Sequence, residues 1–165
     1  MVDMAASIVP VLRPVVVEDA EVLAALIRGA FAVQPTTVPP PSALRETAES
    51  IAAHLQTGGG ILAELEGSAV GAILWAERGN ALRVARLSVD PAWRRRGIAR
   101  ALLRAAEEQA RRMGLERLLL STRLSLTDNR RLFLAAGYLE ISFERHEGFS
   151  EPTFVEMEYR LKKME

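Results

Sequence analysis

The chain has 165 residues and no cysteine, and this absence removes several kinds of chemistry at once. Without thiols there is no disulfide scaffold, no thiolate metal site and no cysteine that could carry an acyl group. Lysine is nearly absent as well, since Lys162 and Lys163 are the only two, so arginine is the default basic residue. Any reaction of this protein must therefore use other groups, and we expect no metal ion in its site.

A net charge is also missing, because 21 basic side chains balance 21 acidic ones. The chain therefore lacks a general field that would attract nucleic acid or an anionic membrane, and we expect neither as a partner. No apolar run approaches the ~18–20 residues that span a bilayer, and residues 1–7 lack the basic start of a secretory leader. With 49% hydrophobic residues, we expect a cytoplasmic protein with one domain over 1–165 and a core over about 9–162.

Hydrophobic periodicity predicts strands and helices in the order β-α-α-β-β-β-α-β-α-β-β. The strands are predicted at residues 8–13, 61–65, 69–76, 82–89, 118–122, 138–145 and 153–161. The helices are predicted after Glu18 and Asp19, after a cap at Ser42, from Ile98, and in a segment led by Asn129. Gly58-Gly59-Gly60 is interpreted as a flexible turn that ends the second helix.

The most informative segment is the junction between the strand 82–89 and the helix that starts at Ile98. Pro91 breaks the strand, and three arginines followed by Gly97 lead directly into the helix. A glycine permits positive φ and close backbone approach, and the first amides of a helix have no partner within it. These amides point outward at the positive end of the helix dipole, where an anion binds well. The segment therefore predicts a site for a phosphate-bearing ligand.

This motif is short, and an arginine triplet by itself is equally typical of a solvated helix start. Its setting favours the ligand site, because the following helix is amphipathic and a buried strand comes after it, as in a βαβ unit. In this setting, residues 82–138 resemble the core of the GNAT family of N-acetyltransferases. Val89-Asp90-Pro91 precedes the loop at the family's usual distance. The segment from Asn129 to Tyr138 is similar to the family's asparagine-led helix, which ends in Gly-Tyr or Gly-Phe.

The resemblance implies an α+β (mixed α/β) fold of the acyl-CoA N-acyltransferase type. Its central sheet would be mixed and mostly antiparallel, with about seven strands flanked by about four helices. Strand 82–89 and the strand near 118–122 would splay apart, and acetyl-CoA would enter the gap. The residues implied in binding it are Leu87, Ser88, Val89, Arg94, Arg95, Arg96, Gly97, Ile98, Ala99, Arg100, Asn129 and Phe133. Family members often pair through the region that matches 153–161, so a homodimer is a further expectation.

The function that the resemblance implies is transfer of an acetyl group from acetyl-CoA to a primary amine of a small molecule or protein. The amine would attack the thioester directly in a ternary complex. The backbone N–H of Val89 is the candidate that polarises the thioester carbonyl, a contribution worth ~2–4 kcal/mol. The general base is open, and its candidates are Glu77, Glu64 and His146.

The acid that would protonate the coenzyme thiolate is open as well. Many family members carry a tyrosine four residues before the Gly-aromatic pair, and this chain has Phe133 at that place. A phenyl ring cannot donate a proton, so Tyr138, Ser125, Thr127 or water takes the role, or no acid is used. Because of this gap, a non-catalytic acyl-CoA sensor or interaction module of the same fold is the alternative function.

Overall fold

The computed structural model describes residues 9–162, which form seven strands and four α-helices in the order predicted from the sequence. Residue 8, where the first strand was expected to begin, lies outside this range. The strands are β1 Val11–Pro14, β2 Gly58–Leu65, β3 Ser68–Arg78, β4 Ala81–Val89, β5 Arg117–Arg123, β6 Leu139–Glu144 and β7 Phe154–Arg160. The helices are α1 Ala20–Ala32, α2 Ala48–Leu55, α3 Ile98–Arg112 and α4 Thr127–Ala135.

All seven strands belong to one sheet with the order β1-β2-β3-β4-β5-β7-β6. Every neighbouring pair is antiparallel except β4 and β5, which are parallel. This pair joins only Ala81–Arg83 to Arg117–Leu119, so β4 and β5 separate beyond those residues. The fold class and the splayed strands are therefore confirmed, and the separation opens the sheet at its centre.

A β-bulge bends β4 just before its end. Between the pairs Leu74–Ala85 and Ala72–Ser88, β4 contains one residue more than β3. Arg86 takes up the extra length with a φ of 57°, a left-handed conformation that side chains other than glycine seldom adopt. The bulge changes the direction of the last residues of β4, and the sequence pattern did not predict it.

Helices cover the sheet on two faces. On one face α3 buries Ile98, Leu102 and Ala106 against the sheet, and on the other α1 and α2 bury Leu23 and Ile51. The amphipathic pattern of α3 accounts for its burial, since its apolar side chains recur at the helical period. Among residues 9–162, no helix combines the length and apolar character needed to cross a bilayer.

Two predicted boundaries are wrong. Residues Ser42–Arg45 form a 3₁₀ turn, and α2 begins only at Ala48, where the side chain of Thr47 accepts a hydrogen bond from the Ser50 amide at 3.1 Å. Gly58-Gly59-Gly60 is the start of β2 and not a flexible turn. A Cβ at Gly60 would lie 2.5 Å from the Ile73 carbonyl oxygen, so glycine is needed here for close strand approach and not for flexibility.

The expected pairing or exchange of the region 153–161 between two chains stays a prediction. β7 has strand partners on both sides, β5 and β6, so it has no free edge. The two edges of the sheet are β1 and β6, and the Leu139, Ile141 and Phe143 side chains of β6 are exposed. A homodimer therefore stays a prediction, and β7 cannot extend the sheet across it.

Candidate functional site

Two cavities lie where β4 separates from β5. The first, of about 350 Å³, is lined by β4, β5 and the loops around Thr37 and His146, and we call it the sheet cavity. The second, of about 580 Å³, lies between the end of β4 and the starts of α3 and α4, and we call it the helix cavity. Four residues line both cavities, namely Gln34, Leu87, Leu126 and Asn129. The two cavities therefore meet at the end of β4.

The start of α3 forms one wall of the helix cavity. Gly97 has a φ of +80°, and no side chain caps the helix. The first hydrogen bond of this helix runs from the Ala101 amide to the Gly97 carbonyl at 3.0 Å. The amides of the three residues between them, which all line the cavity, therefore have no partner inside the helix. Such amides, at the positive end of a helix of 15 residues, suit a phosphate group.

The four arginines of this loop and helix start do not all face the cavity. Arg94, Arg95 and Arg100 line it, and Arg94 also donates from Nη2 to the Ala30 carbonyl at 3.2 Å. Arg96 does not line it, because its guanidinium lies over the Trp93 ring at 5.0 Å from the centroid. Arg96 therefore lies outside the lining of the cavity, unlike its predicted position.

The end of β4 presents backbone groups to the gap. The Asp90 amide donates to the Val70 carbonyl on the side of β3, at 2.8 Å. Because backbone groups alternate in direction along a strand, those of Val89 and Leu87 point away from β3. Both residues line the helix cavity. Ser88 lines neither cavity, since it is buried and its hydroxyl donates to the Arg86 carbonyl, so its side chain is removed from the expected site.

The start of α4 reaches the junction of the two cavities. Asn129 lines both cavities, and Ser125 and Thr127 line the helix cavity. Phe133, one turn after Asn129, lines only the sheet cavity. The phenyl ring therefore belongs to the wall of the sheet cavity, and its contact with the coenzyme stays a prediction.

Tyr138 does not face either cavity. It has no exposed surface, and its hydroxyl has no hydrogen-bond partner among residues 9–162. Burial, and next the nearby Glu107 carboxylate, raise the pKa of this phenol. A phenol that is enclosed and reluctant to ionise cannot reach a thiolate in the cavities, so the structure does not support Tyr138 as the acid.

Glu77 and Glu64 also lie away from both cavities. Glu77 is exposed and pairs with Leu82 at the hairpin end of β4, which is roughly 20 Å along the strand from Val89. Glu64 forms an ion pair with Arg13 at 2.7 Å. Neither carboxylate is therefore placed to act as the base. The sequence could not show this, because the order of residues along a strand does not reveal which end of the strand lies at the gap.

His146 does line the sheet cavity. Its ring packs against Phe154, with centroids 4.9 Å apart, and its Nδ1 forms a hydrogen bond with the Thr153 hydroxyl. Burial, and next the positive charge of Arg123, lower the pKa of the imidazole. The ring is therefore held in place and is neutral at neutral pH.

Three arginines of the sheet cavity were not predicted from the sequence. They are Arg83 and Arg86 on β4 and Arg123 on β5. Side chains alternate between the two faces of a strand, and this alternation puts Arg83 on the face of β4 that lines the gap. The bulge at Arg86 interrupts the alternation. Arg123 enters the cavity through the β4–β5 separation, which depends on distant strand pairing.

A model of the acetyltransferase (GNAT) family matches residues 23–138. No curated protein matches the chain in sequence. Among solved structures, an acetyltransferase of the GNAT family from Streptococcus pneumoniae is 17% identical, with a TM-score of 0.76 over 93% of this chain and 100% of that one. The PaiA N-acetyltransferase from Thermoplasma acidophilum, solved with coenzyme A, is 19% identical, with a TM-score of 0.75 over 93% and 99%. The ribosomal-protein-S18-alanine N-acetyltransferase from Escherichia coli is 16% identical, with a TM-score of 0.74 over 95% and 97%. These similarities show a shared fold.

Proposed function

Because this chain belongs to the GNAT acetyltransferase family, we propose that it transfers the acetyl group of acetyl-CoA to a primary amine in a ternary complex. The observation that carries the proposal is the junction of the two cavities at Leu87 and Asn129. A donor in the helix cavity and an acceptor in the sheet cavity would meet there. The similar protein from T. acidophilum was solved with coenzyme A, which supports the same cosubstrate.

In this proposal the helix cavity holds the coenzyme. Its pyrophosphate would accept hydrogen bonds from the free amides of Ile98, Ala99 and Arg100, with Arg94 and Arg95 as counter-charges. The pantetheine amides would bind the backbone groups of β4 that point into the gap. The N–H of Val89 would then donate to the thioester carbonyl and stabilise the oxyanion that develops there by ~2–4 kcal/mol.

We assign the general base to His146. Among the residues that line the sheet cavity, it is the titratable group that is neutral at neutral pH, since the others are arginines. In the tautomer whose Nδ1–H donates to the Thr153 hydroxyl, Nε2 is free to accept the amine proton. The new C–N bond forms as the C–S bond breaks, and the coenzyme leaves as a thiolate.

The thiolate has no phenol to protonate it, because Phe133 occupies that place and Tyr138 is enclosed. Ser125 and Thr127 line the helix cavity, so one of their hydroxyls, or water, supplies the proton, or the thiolate leaves unassisted. A coenzyme thiol is acidic enough for the last route. The lack of a phenol at either cavity is also the observation that favours the alternative, a non-catalytic acyl-CoA sensor.

Titration calorimetry with acetyl-CoA and measurement of coenzyme release with a panel of amines separate these two functions. The transferase releases coenzyme only when a suitable amine is present. A sensor also binds acetyl-CoA, but it releases no coenzyme with any amine. Absence of acetyl-CoA binding contradicts both functions.

Arg94→Ala is expected to weaken acetyl-CoA binding modestly, because this exposed guanidinium contributes attraction that solvent and salt screen. The ratio of the variant and wild-type dissociation constants should approach one as salt rises. Calorimetry at two salt concentrations measures this ratio. A ratio that stays constant with salt would show that Arg94 acts through its bond to the Ala30 carbonyl and not through its charge.

Phe133→Tyr is expected to leave the dissociation constant of acetyl-CoA unchanged and to keep turnover equal or make it faster. The reason is that Phe133 lines the sheet cavity alone, so a hydroxyl directed into that cavity would leave the helix cavity unchanged. Calorimetry, coenzyme release and thermal unfolding measure the three effects. A loss of stability of ~1–3 kcal/mol would instead mean that the hydroxyl is buried without a partner.

A further inference from the structure

The charges around the sheet cavity are unbalanced. Three guanidinium groups and one imidazole line it, and none of its lining residues is acidic. Two of the arginines have carboxylate partners behind the wall. Both Nη atoms of Arg83 lie 2.9 Å from carboxylate oxygens of Glu156, and Nε of Arg86 lies 3.2 Å from the Glu46 carboxylate. Their charges are therefore largely compensated within the protein.

Arg123 is the exception. Its Nη1 donates to the Pro39 carbonyl, and no carboxylate of residues 9–162 lies within ion-pair distance of it. The side chain is half-buried in the cavity wall. A guanidinium stays protonated even when it is partly desolvated, so the cavity contains one positive charge without a counter-charge.

A half-buried charge of this kind is stabilised by an anionic ligand that replaces its lost water. The planar fork of a guanidinium matches the geometry of a carboxylate or phosphate. We infer, on the basis of the proposed function, that the acceptor is a small amine that also carries an oxyanion, and that Arg123 binds this oxyanion. An amino acid has the required pair of groups. A cavity of about 350 Å³ is at the lower end of small-molecule sites.

The same charge has a second effect on the acceptor. A nearby cation disfavours the ammonium form of an amine, so it promotes the neutral form that attacks the thioester. A polycationic amine would bring further positive charge next to Arg123 and would bind poorly. The cavity therefore selects against amines with several positive charges.

The test compares matched pairs of ligands that differ only in the oxyanion. Three pairs are leucine with 3-methylbutylamine, phenylalanine with phenethylamine, and phosphoethanolamine with ethanolamine. Binding is measured by calorimetry on the full chain, with and without saturating coenzyme A, and coenzyme release from acetyl-CoA is measured for the same ligands. The phosphate pair and the carboxylate pairs together identify which oxyanion is preferred.

The expected result is that at least one anionic member binds more tightly than its partner, and that Arg123→Gln weakens its binding roughly ten- to hundred-fold. The partner without the oxyanion should bind the variant no more weakly than the wild type, because only a repulsion between positive charges is removed. Arg123→Lys, which keeps the charge without the fork, should lie between them. Arg131→Gln is the matched control, because Arg131 is exposed on α4 and lines neither cavity.

The inference is overturned if no anionic amine binds more tightly than its partner. It is also overturned if Arg123→Gln weakens both members of a pair equally, because the residue would then act only by holding the loop at Pro39. Coenzyme release with amines that lack an oxyanion would leave the proposed transferase standing while this inference fails. Failure of coenzyme A to bind would contradict the proposed function instead.

Discussion

Gly97→Val is expected to weaken acetyl-CoA binding at least roughly 100-fold. This factor corresponds to the loss of two charge-assisted hydrogen bonds to the pyrophosphate. Gly97 has a φ of +80°, which a β-branched residue adopts at a cost of about 1–3 kcal/mol. The loop must either keep this strain or change its path and move the first amides of α3. A Cβ at this position would meet no protein atom within 4 Å. Because Gly97 lines the helix cavity, the valine side chain would extend into open space at the proposed ligand site, and calorimetry with acetyl-CoA measures the loss.

Gly114→Val is the matched control for this change. Gly114 follows the other end of α3 and has a φ of +72°, and a Cβ there would also meet no protein atom within 4 Å. The two variants therefore share the backbone strain, but Gly114 lines neither cavity. We expect Gly114→Val to lose stability and to bind acetyl-CoA as the wild type does. Equal dissociation constants for Gly97→Val and the wild type would remove this loop from the proposed site.

His146→Gln is expected to lower kcat by roughly 10²- to 10⁴-fold, the usual contribution of a general base. The pKa of His146 is lowered from the ordinary value of 6.5, so the base is active at neutral pH and is lost as the pH falls through the lowered value. The wild-type profile of log kcat/KM for the acceptor should therefore bend downward below about pH 6.5, in addition to the slope from the amine itself. In the variant this bend should be absent.

His54→Gln is the control, because His54 lies on α2 and lines neither cavity. We expect its turnover and pH profile to match those of the wild type. If His146→Gln keeps the wild-type profile, the base is water or the amine loses its proton before it binds. The dissociation constant of acetyl-CoA should be unchanged in both histidine variants, since His146 lines only the sheet cavity.

The helix cavity could be predicted from the sequence because its determinants are local. The site is built from consecutive parts of the chain, namely a strand, a break at Pro91, Gly97 and an amphipathic helix. Helix geometry alone leaves the first amides free. Local patterns also predicted the order of the strands and helices along the chain. Phe133 was correctly put on the helix beside the site, but which of two adjacent cavities it faces depends on packing.

The sheet cavity could not be predicted in this way, because its residues come together only through distant pairing. Glu77 was a reasonable base by residue type, but the β3–β4 register puts it at the hairpin end of the strand. The bulge at Arg86 has no clear mark in the sequence. Arg123 becomes part of the cavity only because β5 pairs with β4 over three residues and then separates from it.

The measurement that tests the central claim most directly is mass spectrometry of amines incubated with the protein and acetyl-CoA that carries an isotopically labelled acetyl group. The mixture should contain amino acids, their decarboxylated amines and phosphoethanolamine, and it should be repeated with Gly97→Val. We predict a labelled N-acetyl product on an amine that carries an oxyanion, and its loss in the variant. If the wild type binds acetyl-CoA but no amine in the mixture becomes labelled, the proposed transfer is contradicted.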